Sequence, residues 1–89
     1  MFEVTLGEEG LNATWQDDFP ETTKCVHCDG ESRIGFVAFE SPHPNEGTSL
    51  ADLHKNDPHG YGYWPHECVA VAVYFCKKCL NPTALYNQA

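Results

Sequence analysis

Two short stretches of this chain, Cys25-Val26-His27-Cys28 and Cys76-Lys77-Lys78-Cys79, hold the residues whose type and spacing carry chemistry. In a C-x-x-C pair, the two-residue spacer lets a tight turn aim both sulfurs at one point while backbone N–H groups of the turn face the thiolates. Two such pairs, distant in sequence, close a tetrahedron around one divalent cation. Cys25, Cys28, Cys76 and Cys79 are therefore expected to ligate one structural zinc ion. The plain alternative, unrelated buried or free thiols, fits a doubled spacing poorly. Gly30, two residues past Cys28, is expected to give the first turn its backbone freedom, with Asn81 a weaker substitute after Cys79.

The fifth cysteine, Cys68, is expected to stay outside this set, because eight extended residues to Cys76 span roughly 26 Å. It reads as a small buried side chain; a lesser reading pairs it with His54, His59 or His66 in a second metal site. His27 is expected to face solvent, and His43, between two prolines, carries no signal. Lys24, Lys77 and Lys78, three of only five basic residues, flank the pairs and are placed to offset the charge of a tetrathiolate centre. Ordinary solvated turn lysines would look the same.

The elements that must position these residues follow from patterning. Phe2, Val4 and Leu6 alternate with Glu3 and Thr5 as a short strand with one wet face. Gly7 to Gly10 reads as a turn, and Leu11 to Trp15 as a possible second strand. Asp17 to Lys24, acidic and broken by Pro20, reads as a loop that Phe19 pins to the core. A strand is expected from Ser32 to Glu40, and a short helix from Ser49, followed by Asp52, through about Asn56. His54 to Glu67 suits an ordered loop, its Tyr61, Tyr63 and Trp64 either capping the core or forming a recognition surface. In CVAVAVYF, Cys68 to Phe75, both alternating sets are apolar, which predicts a central strand covered on both faces and delivering Cys76 at its end. The tail from Leu80 to Ala89 is expected to pack along the sheet through Leu85 and Tyr86.

Together, Cys25 to Gly30, the strand from Ser32 to Glu40, and Cys68 to Cys79 resemble the zinc-ribbon class, in which two cysteine-bearing knuckles on β-hairpins clamp one zinc ion. The resemblance implies a small, mostly-β (α+β), metal-stabilised domain: an antiparallel zinc-ribbon-like sheet with one short helix, residues 1–89 forming a single domain. The insertion between the knuckles is longer than in minimal ribbons, and residues before Lys24 have no counterpart. Ribbons serve many roles, so the class alone does not give a function.

Bulk properties narrow the roles. At 89 residues the chain is small enough that a cross-link can decide whether it folds. Its formal charge is −8, with no basic run to follow a phosphate backbone, so nucleic acid is a disfavoured partner. A local patch of Arg33, Lys55, Tyr61 and Trp64 would be its remaining route. No stretch resembles a signal peptide or approaches the roughly 20 apolar residues of a membrane span, so a cytoplasmic protein without membrane association is expected. In a reducing compartment, paired cysteines are read first as metal ligands or redox centres.

The first functional expectation is a structural zinc module that presents a surface to another protein and has no catalysis of its own. Neither an H-E-x-x-H nor a deaminase H-x-E with P-C-x-x-C is present. The second is rubredoxin-like electron transfer by one iron, although Asp29 and Leu80 stand where such loops usually carry Gly. Thiol–disulfide exchange is a third, without the βαβ setting it normally has; a nucleic-acid-binding ribbon is a fourth.

Overall fold

The computed structural model describes residues 2–40 and 69–88. They form five strands, β1 (Phe2–Leu6), β2 (Thr22–Lys24), β3 (Glu31–Glu40), β4 (Val69–Cys76) and β5 (Pro82–Gln88). The strands build one antiparallel sheet in the order β1-β3-β4-β5, and β2 also pairs with β3. β1 and β2 share one edge of β3, β1 along Phe36 to Glu40 and β2 along Glu31 to Arg33.

β3 and β4 are the backbone of the sheet because their β-branched and aromatic residues suit a pleated, half-buried surface. On β4, Ala70, Ala72, Tyr74 and Cys76 are buried and share one face. The opposite set is less covered than the sequence predicts: Val69 is buried, Val71 and Val73 are half-buried and Phe75 is exposed. β3 keeps step with β4 by means of a bulge between Ile34 and Phe36. In an unbroken pleat, with Gly35 taking an ordinary place, Ser32 and Ile34 would face one side and Val37 and Phe39 the other. With it, Ser32 opposes Cys76, Ile34 opposes Tyr74 and Val37 opposes Ala72, all on one face. Gly35 occupies the bulge, and a Cβ there would stand 2.5 Å from the Phe75 ring that covers it.

The core lies on that face, where Phe19, Val37, Ala70, Ala72 and Tyr74 pack with Leu11, Ala13, Trp15, Ile34, Phe39 and Leu85. Leu11 to Trp15 does not form the expected strand. After a 3-10 turn at Gly7–Gly10, this stretch bends repeatedly and lays its apolar side chains on the sheet. Several of its polar groups find partners outside any ladder, whereas the buried Trp15 indole N–H has none among the described residues. The Trp15 amide donates to Asn87 Oδ1 at 3.0 Å, the Phe19 amide to the Leu11 carbonyl at 2.9 Å, and the Asn87 side-chain amide to Thr14 Oγ1. The Trp15 ring stacks on Phe39 with centroids 5.0 Å apart. The Tyr74 hydroxyl donates to the Pro20 carbonyl at 2.6 Å, which fastens the covering segment to β4.

Three further expectations change. Thr22–Lys24 is a strand rather than the end of a loop. In β1, Val4 and Leu6 are 60% and 74% exposed, because pairing with Ala38 and Phe36 puts them on the side of the sheet away from the core. The tail is a full strand, and only Leu85 of its two anchors reaches the core, Tyr86 being exposed. The expected helix at 49–56, the loop from His54 to Glu67, and Cys68 lie outside the described residues; among those described, the 3-10 turn is the one helical element. No helix in them is long and apolar enough to cross a membrane.

Candidate metal centre

β2 ends immediately before Cys25, and β4 ends in Cys76, so the two strands flanking the start of β3 deliver the lead cysteine of each pair to the same end of the sheet. Each strand then enters a turn with the same hydrogen bonds. In the first, the Asp29 amide donates to the Cys25 carbonyl at 3.1 Å and the Cys25 amide to the Gly30 carbonyl at 2.8 Å. In the second, Leu80 donates to Cys76 at 3.1 Å and Cys76 to Asn81 at 3.2 Å. His27 and Lys78, each two residues past a lead cysteine, both donate an amide to that cysteine's Sγ at 3.3 Å.

The two knuckles also turn at the same place. Asp29 and Leu80, each directly after a second cysteine, have φ of 64° and 63°. The left-handed step thus falls one residue before Gly30, which corrects the expected role of that glycine. Gly30 is needed for closeness instead: a Cβ there would lie 3.2 Å from the sulfurs of both Cys28 and Cys76.

The four Sγ atoms all lie within 4.8 Å of one another. They meet across the knuckles, Cys25 with Cys79 at 3.6 Å and Cys28 with Cys76 at 3.5 Å. These separations are far beyond an S–S bond of about 2.0 Å and all four cysteines are free. A tetrahedron with metal–sulfur bonds of about 2.3 Å has edges of about 3.8 Å, so the cage already has the size a tetrathiolate ion requires. Cys25 and Cys76 are buried, Cys79 is half-buried and Cys28 exposed, so the cage opens at the tips of the knuckles.

The turns sort the thiols electrostatically. For Cys76, the amides of Cys79 and Lys78 outweigh the cost of burial and hold the thiol down at about 6. At Cys25, burial pushes the thiol up, but the amides of Cys28 and His27 together with the Cys79 thiol bring it below its ordinary value. Cys28 has the Gly30 amide in its favour, yet the crowding sulfurs of Cys76 and Cys79 drive it up to about 12. Negative charge therefore collects first on the buried lead cysteines.

Around the cage, Thr83 Oγ1, buried on β5, accepts a hydrogen bond from the Val26 amide at 3.1 Å and ties the first knuckle to the sheet that carries the second. The Lys77 amide donates to the Glu31 carbonyl at 3.0 Å. Among the flanking lysines, Lys24 lies 3.9 Å from an Asp29 carboxylate oxygen and Lys77 3.2 Å from one of Glu31, both pairs exposed. The side chain of Lys78 runs past Gly30. His27 is exposed, and His43, His54, His59, His66 and Cys68 lie outside the described residues.

No family model, no curated protein and no solved structure matches this chain. The site stands on its own geometry.

Sequence reasoning singled out the four cysteines that come together, but not Thr83, whose partner Val26 is remote along the chain. It also missed β2, although the β-branched pair Thr22-Thr23 directly before Cys25 was a usable strand signal.

Proposed function

We propose that this chain is a structural metal-binding module in which Cys25, Cys28, Cys76 and Cys79 hold one zinc ion in a zinc-ribbon-like domain that offers its surface to another protein. The supporting observation is the convergence of four free sulfurs, from two equivalent knuckles, into a cage of tetrahedral size. The residues fit the ion: thiolates suit zinc, and the lead cysteines favour the charged form that ligation requires.

A zinc ion held by four thiolates has no open position for water or substrate, so it fastens structure instead of activating a nucleophile. The work of the residues is positional. β2 and β4 bring the lead cysteines together, the turn amides stabilise their negative charge, and Thr83 fixes one knuckle against the other sheet edge. The formal charge of −8, lowered by about a further 2 with a tetrathiolate ion in place, favours a protein partner over a polyanion.

Elemental analysis of the purified chain, with an optical spectrum on the same sample, tests this reading. One zinc per chain and no visible absorption are expected. One iron with intense thiolate-to-iron absorption would replace it with rubredoxin-like electron transfer, which the same four sulfurs allow. For the partner, a pull-down with the loaded chain is expected to recover a protein; failure to do so alongside hydrolase or transferase turnover would overturn the non-catalytic role.

A further inference from the structure

Ser32 sits near the start of β3, the strand that separates the two lead cysteines. It pairs with Thr23 of β2, two residues before Cys25, and with Cys76 of β4. Strand alternation puts Thr23, Cys25, Ser32 and Cys76 on one face, so the Ser32 side chain lies beside the cage. The Lys77 amide bonded to the Glu31 carbonyl marks Ser32 and Cys76 as a non-hydrogen-bonded pair, the arrangement that brings facing side chains closest.

Ser32 is wholly buried, and its Oγ has no hydrogen-bond partner. Buried hydroxyls without a partner are rare, and each calls for an explanation. Alanine would fill the same space without that cost. The sheet makes no use of the hydroxyl, so its use lies with the group it faces. Cys76 takes amides from Lys78 and Cys79, but these come from its own turn, on one side of the sulfur. A metal-bound thiolate is a stronger acceptor than a thiol and takes additional donors.

We infer that Ser32 is an outer-sphere positioning residue of the metal centre, its hydroxyl donating a hydrogen bond to the Cys76 thiolate when a metal ion is bound. This rests on the metal-binding reading above. Outer donors of this kind orient a ligand and temper its charge, and their loss typically weakens metal affinity by a factor of about ten or more.

The test loads wild-type protein and Ser32→Ala with cobalt(II), a coloured stand-in for zinc, and measures affinity by chelator competition and the position of the thiolate-to-cobalt absorption band. A donor to sulfur lowers the energy of its lone pairs. Ser32→Ala is therefore expected to bind about tenfold more weakly and to show the band at longer wavelength. The band position separates this role from mere packing, which would leave the sulfur electrons unchanged. A band at the wild-type wavelength overturns the inference, whatever the affinity. Wild-type protein that takes up no cobalt overturns the metal reading itself, whereas normal uptake with an unmoved band removes only Ser32's part.

Discussion

Asp29 and Leu80 stand in the left-handed region that glycine adopts without strain, and they show how strictly each knuckle dictates its backbone. Aspartate tolerates that region better than most residues, because its short side chain bonds locally; leucine has no such compensation. Leu80 is exposed, so its side chain contributes little packing in return. Leu80→Gly is expected to stabilise the metal-loaded chain by roughly 0.5–1 kcal/mol, and Asp29→Gly by less, measured by denaturant unfolding. Gly30 makes the opposite case. Its conformation is ordinary, but a Cβ would crowd two sulfurs at 3.2 Å. Gly30→Ala is expected to cost about 1–3 kcal/mol of metal-binding free energy as overpacking, read by chelator competition, while the strands stay intact by circular dichroism. At this level the sequence was informative about which atoms do chemistry and less so about which backbone positions strain to place them. Cysteine spacing is a local signal, whereas the need for a left-handed step at Leu80 comes from the hydrogen bonds of the closed turn.

Strands and turns explain why the cage forms where it does. β2 and β4 flank β3, and the bulge at Gly35 keeps Ser32, Val37 and Phe39 on the core side in spite of the change in register. β3 and β4 were readable as strands because both are dense in β-branched and aromatic residues, but which face of β4 meets the core was not, since both of its alternating sets are apolar. The bulge was not readable either, since an isolated glycine in a strand gives no direction of shift. Leu11 to Trp15 misled for a related reason: its apolar residues face the core from a bent segment held by side-chain bonds to Asn87 and by Tyr74 through Pro20. A hydrogen bond from the Val26 amide to Thr83 Oγ1, in a part-buried place, links the first knuckle to β5. Thr83→Val keeps the shape and leaves that amide without its acceptor, an expected loss of about 1–3 kcal/mol. If the hydrogen bond positions the knuckle, the variant will also release metal faster to a chelator; an unchanged release rate would limit Thr83 to packing.

Across the whole molecule, a small sheet with one well-covered face is joined to a sulfur cage at one end. The buried cluster is modest, and β1 and Phe75 leave apolar side chains exposed on the other face of the described residues. In a chain of this length, burial and conformational entropy nearly cancel, so an ion that binds the folded cage and not the open chain adds its binding free energy to stability. An ion held in the cage would join residues near 25 to residues near 79 and so tie the covering segment and β2 to the last hairpin in one step. Thermal unfolding of the protein as purified, with and without excess chelator, beside a variant carrying Cys25→Ser, Cys28→Ser, Cys76→Ser and Cys79→Ser, tests this most directly. The cage predicts a markedly lower melting temperature in chelator and a serine variant that melts low and ignores chelator. The same cooperative melt in all three samples would contradict it.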